Sequence, residues 1–231
     1  ALPGGVSRAQ VKIATIETPP WAYNDPATGR PEGVFPDVVR ELERRTGVAF
    51  AMSLIPFPRI APELESGAQD CAVSVWLESA GQYAVKGEEV ASHSIGVVPR
   101  RGVPLESYAD LRGLILSTLP GLVFGEPFDS DSTIRKVRDP DYLTGVRKAA
   151  HGRVDGVAGA VPTILYIAGK EELAAAFDEP FVLARASIVL QFSKVSPHLG
   201  QKPRLDQALA GMRREGALEA IRSAHYGGLK P

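Results

Sequence analysis

The sequence predicts an α/β protein built from two similar units. Three observations carry that prediction. Strand-like and helix-like segments alternate through most of the chain. One junction, a helix ending in glycine, two residues, an aspartate and then an apolar strand, is written twice, as "SGAQDCAVSV" (66–75) and "HGRVDGVAGA" (151–160). The 231 residues, 44% hydrophobic and 23% charged, suffice for one large domain or two small ones with a real core.

The elements follow in order. "VKIATI" (11–16) alternates and is β-branched, a strand; "ETPPWAYNDPATGRPEG" (17–33), rich in Pro, Gly and Asn, is a loop. "FPDVVRELERRTG" (35–47) sets Phe35, Val38, Val39 and Leu42 at helical spacing and stops at Gly47. A strand at 48–55, a short helix at 58–67 and a buried strand at 70–75 complete strand, helix, strand, helix, strand, the order of a parallel sheet with right-handed crossovers. A strand at 95–102 and a helical turn at 104–113 lead to the second unit. There the order repeats as a strand (114–118), a loop (119–132), a helix (141–152), a strand (154–160) and a mostly helical stretch (162–177). "FVLARASIVLQFS" (181–193) is strand material able to cross back, and 204–228 reads as one closing amphipathic helix. In both junctions the glycine ends a helix and the aspartate (Asp70, Asp155) forms a turn. Ligands of open α/β sheets bind at the carboxyl ends of the strands, so two such units imply two lobes facing a cleft.

Composition excludes several classes. Lys+Arg (26) and Asp+Glu (27) nearly cancel, which argues against a nucleic-acid or acidic-membrane surface. No apolar run is long enough to span a bilayer. The single Cys71 forms no intrachain disulfide and, inside "DCAVSV", reads as a buried inert thiol. The four histidines show no metal-ligand spacing, and neither a nucleophile elbow nor a P-loop is present, so no cofactor is expected. The chain begins "ALPGG" rather than with Met, as a processed mature protein or a trimmed chain does.

Five stretches in order resemble one family, the periplasmic solute-binding proteins of ABC importers in the polar amino-acid-binding group. They are "TPPWAYNDPATGRPEGVFPDVVRELERRTGVAF", "IAPELESGAQDCAVSV", "SYADLRGLILST", "RKAAHGRVDGVAGAVPTILYI" and "ALAGMRREGALEAIRSAHYG", within about residues 10–228. The resemblance implies a two-lobe clamshell of mixed, mostly parallel sheets joined by two hinge strands. Its lobes are expected at 1–99 plus 193–231 and at 100–192. It also implies a monomer outside the cytoplasm, in the periplasm after leader removal, that closes on a small-molecule ligand and docks on an ABC permease.

The ligand site departs from the family's pattern. Where the family clamps an amino acid's carboxylate with Arg, this chain has Gly81 or Gln82; where it holds the ammonium with Asp, this chain has Ala160. The second-lobe loop, usually rich in hydroxyls, reads "LPGLVFG" (119–125) around Gly121. An ordinary α-amino acid is therefore not the expected ligand, because a buried zwitterion needs paired charges. Expected in its place are Trp21, Phe57 and Trp76 for stacking or cation–π contact, with Tyr23 left to the core. Ser74, Ser117 and Thr118 offer hydroxyls; Arg59 suits a carboxylate or phosphate, and Glu17 a cationic group. Arg100 and Arg101 fall near the expected hinge. Two other readings belong to the same fold: a periplasmic enzyme like the cyclohexadienyl dehydratases, with Glu17 or Glu126 as acid or base, and the sensor module of a signalling receptor.

Overall fold

The structure, a computed structural model, describes residues 10–226. The expectations for the first nine residues and for the last five lie outside the described residues. The chain clusters into two compact units, one comprising the residues up to Ala91 with Ile188–His225, the other Ser92–Ser187 with Tyr226. In chain order the first unit holds β1 (Val11–Ile16), β2 (Tyr23–Asn24), β3 (Pro31–Glu32), α1 (Val34–Thr46), β4 (Phe50–Ile55), α2 (Ile60–Glu65), β5 (Cys71–Val75) and the start of β6 (Ala84–Pro99). The second holds the rest of β6, then β7 (Ile115–Thr118), β8 (Arg135–Arg138), α3 (Tyr142–Ala150), β9 (Gly156–Ala160), α4 (Val161–Lys170) and the start of β10 (Phe181–Ser193). The end of β10, α5 (Lys202–Arg214) and most of α6 (Ala217–Tyr226) return to the first unit.

In the first unit β1 is parallel to β4 on one side and to β5 on the other, and β10 runs antiparallel to β5. Helix α1 buries Phe35, Val38, Val39 and Leu42, as its spacing predicts, and ends on Gly47 in the left-handed conformation (φ 65°). In the second unit β7 is parallel to β8 and β9, and β9 is antiparallel to β6. Its core gathers Val97, Leu116, Ile134, Val146, Val157 and Ile164, all buried. The class is the expected one: mixed α/β, mostly parallel, flanked by helices.

Both glycine–aspartate junctions fold alike. Gly67 (φ 73°) and Gly152 (φ 70°) take left-handed backbone angles just past α2 and α3. Asp70 and Asp155 then precede β5 and β9, each bonded through N–H and carboxylate to one residue of the neighbouring strand. The sequence reading assigns these aspartates to a local turn; in the structure their carboxylates accept from Lys12 and Ile115, remote in sequence, and so pin two neighbouring strands together.

Four elements differ from the sequence reading. Strand β8 (Arg135–Arg138), parallel to β7, lies in a stretch to which the sequence reading assigns no element. The expected strand at 95–102 is the end of a longer β6 that begins at Ala84 and stops at Pro99. Its charged first half lacks a strand's apolar alternation but neighbours β10 in the sheet. Here a side chain at Gly87 would strike the Leu190 carbonyl. The closing helix is two helices, broken at Gly216 (φ 74°), where the chain turns left-handed. The loop 17–33 contains the small β2–β3 hairpin, paired Tyr23↔Glu32 and Asn24↔Pro31.

Candidate functional site

The carboxyl ends of β4, β1 and β5 share one edge of the first unit's sheet. The registers Ile16↔Ile55 and Thr15↔Val73 bring the residues just beyond them together: Glu17, Phe57 and Trp76. Glu17 is exposed; its backbone N–H donates to the Ile55 carbonyl (3.2 Å), and its carboxylate accepts from the Asn24 amide (3.3 Å). Phe57 is half-buried and opens a 3-10 turn, Phe57–Arg59. Arg59 is exposed and paired with Glu63 one helical turn on, so its guanidinium is already engaged.

Trp76 is half-buried, packed against the cluster of Ala14, Ile60, Leu64 and Ala72. Its indole N–H donates to Glu78 (3.1 Å), and the Lys86 ammonium stands 5.5 Å from a ring centroid. Sequence reading found Trp76 but neither partner. The Glu two residues on was a readable signal; Lys86 was not, because the fold alone brings β6 alongside.

Two expected rim residues lie inside the first unit. Trp21 is 2% exposed, its ring stacked on Phe35 with centroids 5.0 Å apart. The cause is local: the Val34 and Phe35 N–H groups donate to the Pro20 and Trp21 carbonyls, which seats the indole on the first turn of α1. Ser74 is fully buried and accepts a hydrogen bond from the Gln191 side chain (2.6 Å).

In the second unit, β7 and β9 end near Thr118 and Ala160. Ser117 is buried and donates to Asp139 (2.7 Å), which is also ion-paired with Lys148. Its hydroxyl is thus committed to a structural cluster that spacing did not reveal. Thr118, 6% exposed, has a hydroxyl without a hydrogen-bond partner among the described residues. In the loop beyond, Gly121 is exposed with φ 80°, and Val123 is 61% exposed. The Phe124 and Gly125 N–H groups donate to Asp129 (3.0 and 2.7 Å), which holds that loop's shape. A groove of about 180 Å³ in this unit, lined by Tyr108, Phe124, Phe128, Phe181 and Leu183 among others, includes Glu126, the acid–base candidate of the enzyme reading, and none of the residues expected to bind a ligand. Among the described residues, no cluster of His, Cys, Asp and Glu is arranged to hold a metal ion.

The model of the bacterial extracellular solute-binding proteins, family 3, matches residues 11–228. This chain belongs to that family. No curated protein matches it in sequence. Among solved structures it is similar to a histidine kinase sensor domain that resembles periplasmic binding proteins, with TM-score 0.82, 20% identity, and coverage of 97% of this chain and 99% of that one. It is also similar to the P235GK mutant of ArgBP from T. maritima (TM-score 0.80, 17% identity, 96% of each chain). A third is a structure from work on glutathione import via GshT and the cystine importer TcyBC of Streptococcus mutans (TM-score 0.81, 15% identity, 95% of each chain). At these identities the likeness shows the fold.

Within family 3, the positions where the resemblance places the amino-acid clamps are uncharged here. Gly81 and Gln82 are exposed, and their carbonyls accept from the Lys194 ammonium, Gln82 at 3.3 Å. Because Phe192 of antiparallel β10 pairs with Cys71, Lys194 lies past the amino end of β5. Gln82 is therefore at the opposite sheet edge from Trp76 and Glu17, and the structure does not group it with them. Ala160 is buried and donates its N–H to the Tyr142 hydroxyl (3.0 Å), whose phenol burial pushes up to about 12. A side chain at neighbouring Gly159 would collide with the Tyr142 ring, so this strand end is closed by an aromatic ring.

Proposed function

We propose that this chain is an extracytoplasmic binding protein, monomeric and located in the periplasm, that captures a small solute and delivers it to an ABC permease without chemical turnover. Its two compact units act as the lobes, and residues beyond their strand ends supply the contacts. The observation that carries this reading is the convergence of Glu17, Phe57 and Trp76 at one sheet edge in a chain of family 3. The uncharged Gly81, Gln82 and Ala160 support a solute other than an ordinary α-amino acid, since an unpaired buried charge costs several kcal/mol. A thermal-shift screen of small metabolites tests capture: a solute far above its Kd raises stability by about 3 kcal/mol. Micromolar calorimetric binding of any ordinary amino acid would overturn the exclusion.

A second reading is favoured by the histidine kinase sensor domain among the similar structures. In it the same solute is sensed rather than delivered. The full gene product decides: a downstream transmembrane kinase means a sensor, a lone leader peptide a transport protein. Turnover of a prephenate-like substrate would instead establish the enzyme reading.

A further inference from the structure

We infer that the solute is an organic cation lacking a carboxylate, and that its charged end takes the place Lys86 now holds over Trp76; this rests on the solute-capture reading above. Lys86 is exposed, its ammonium 5.5 Å from the Trp76 ring centroid, and it forms no ion pair among the described residues. The indole is held from its edge by the Glu78 carboxylate. An aromatic face with a carboxylate beside it is the chemistry that selects ammonium and guanidinium groups. Here it already holds one, on a flexible four-carbon stem that swings away at little cost.

The rest of this edge has the same preference. Glu17, one strand away, is exposed and meets only the Asn24 amide. Arg59 is engaged by Glu63. Glu17 and Glu78 are thus carboxylates without an ion-pair partner among the described residues, while the edge has no uncommitted guanidinium for a carboxylate. The competing assignment makes Lys86 itself the anchor for an aromatic acid stacked on Trp76, and it predicts opposite effects of removing the lysine.

Titration calorimetry on the intact chain with agmatine, putrescine and choline, and with arginine and succinate as carboxylate-bearing comparisons, tests the inference. At least one of the three amines binds. Arginine, which differs from agmatine by its carboxylate alone, binds at least tenfold more weakly than the best amine. Trp76→Ala lowers amine affinity by about threefold to thirtyfold. Lys86→Gln, a surface change that leaves folding intact, tightens amine binding about threefold by removing the internal competitor. Weaker binding in Lys86→Gln, or capture of succinate in preference to the amines, overturns the inference. If no amine binds while the metabolite screen finds another solute, the inference fails and solute capture stands; a screen without any hit defeats both.

Discussion

In the first unit Asp70 donates its N–H to the Lys12 carbonyl (3.0 Å) and takes the Lys12 N–H on its carboxylate (2.8 Å). In the second, Asp155 does the same with Ile115 (2.7 and 2.9 Å). Each aspartate thereby locks the start of one parallel strand to the next and sets the register that carries the strand ends to a common edge. The other carboxylate oxygens differ. That of Asp70 accepts from the buried Ser196 hydroxyl (2.7 Å), which belongs to the segment following β10. That of Asp155 meets only the half-exposed Arg100, at 3.5 Å. The repeated motif is one backbone device, and the first unit has built a further buried contact onto it.

Substitution at the two aspartates should break this likeness. Asp70→Ala leaves the Lys12 N–H and the Ser196 O–H without an acceptor, while the Ser196 oxygen still accepts from the His198 N–H, and is expected to cost about 4 kcal/mol. Asp155→Ala strands one N–H beside a solvated arginine and should cost about 2 kcal/mol. Urea unfolding of the two variants measures the difference; equal losses would show that the Ser196 contact adds nothing.

Histidines separate the units in a second way. His225, in the first, is paired with Asp37 near the surface (2.7 Å). His93, in the second, is 4% exposed, and burial, with the Arg185 charge adding to it, lowers its pKa from 6.5 to about 4. The unfolded chain therefore binds a proton on this ring more readily than the folded one. The contribution is complete above pH 6.5 and is lost as pH falls toward about 4, a change of roughly 3 kcal/mol. Denaturant midpoints at pH 7 and pH 4.5 should diverge in the parent chain and converge in His93→Gln. A persistent divergence in that variant would assign the acid sensitivity to other groups.

What the sequence revealed followed from periodicity and local backbone chemistry. The stripe of α1, the stop at Gly47 and both junctions are local patterns, and each is found where the sequence places it. The first half of β6 carries no such pattern, because its backbone neighbour, β10, is remote in sequence. The site divides along the same line. Glu17, Phe57 and Trp76 follow from the rule that ligands meet strand ends. Trp21 does not, since backbone bonds from α1 turn its ring inward. The partners of Trp76 and of Ser117 were hidden because side chains from different elements meet only after folding.

The smallest expected effect lies at the two glycines that open the junctions. Both have φ near +70°, so Ala at either position incurs the left-handed penalty of about 1 kcal/mol. A side chain at Gly152 would meet open space, whereas one at Gly67 would lie 3.1 Å from a Val195 methyl. Val195 is 65% exposed and can yield, so Gly67→Ala should exceed Gly152→Ala by only a few tenths of a kcal/mol. Asn, which tolerates this conformation, should recover part of the loss at both sites. If Gly67→Ala instead costs several kcal/mol more than Gly152→Ala, the first junction is held rigidly by the segment after β10. The extra contact at Asp70 would then extend to the whole turn.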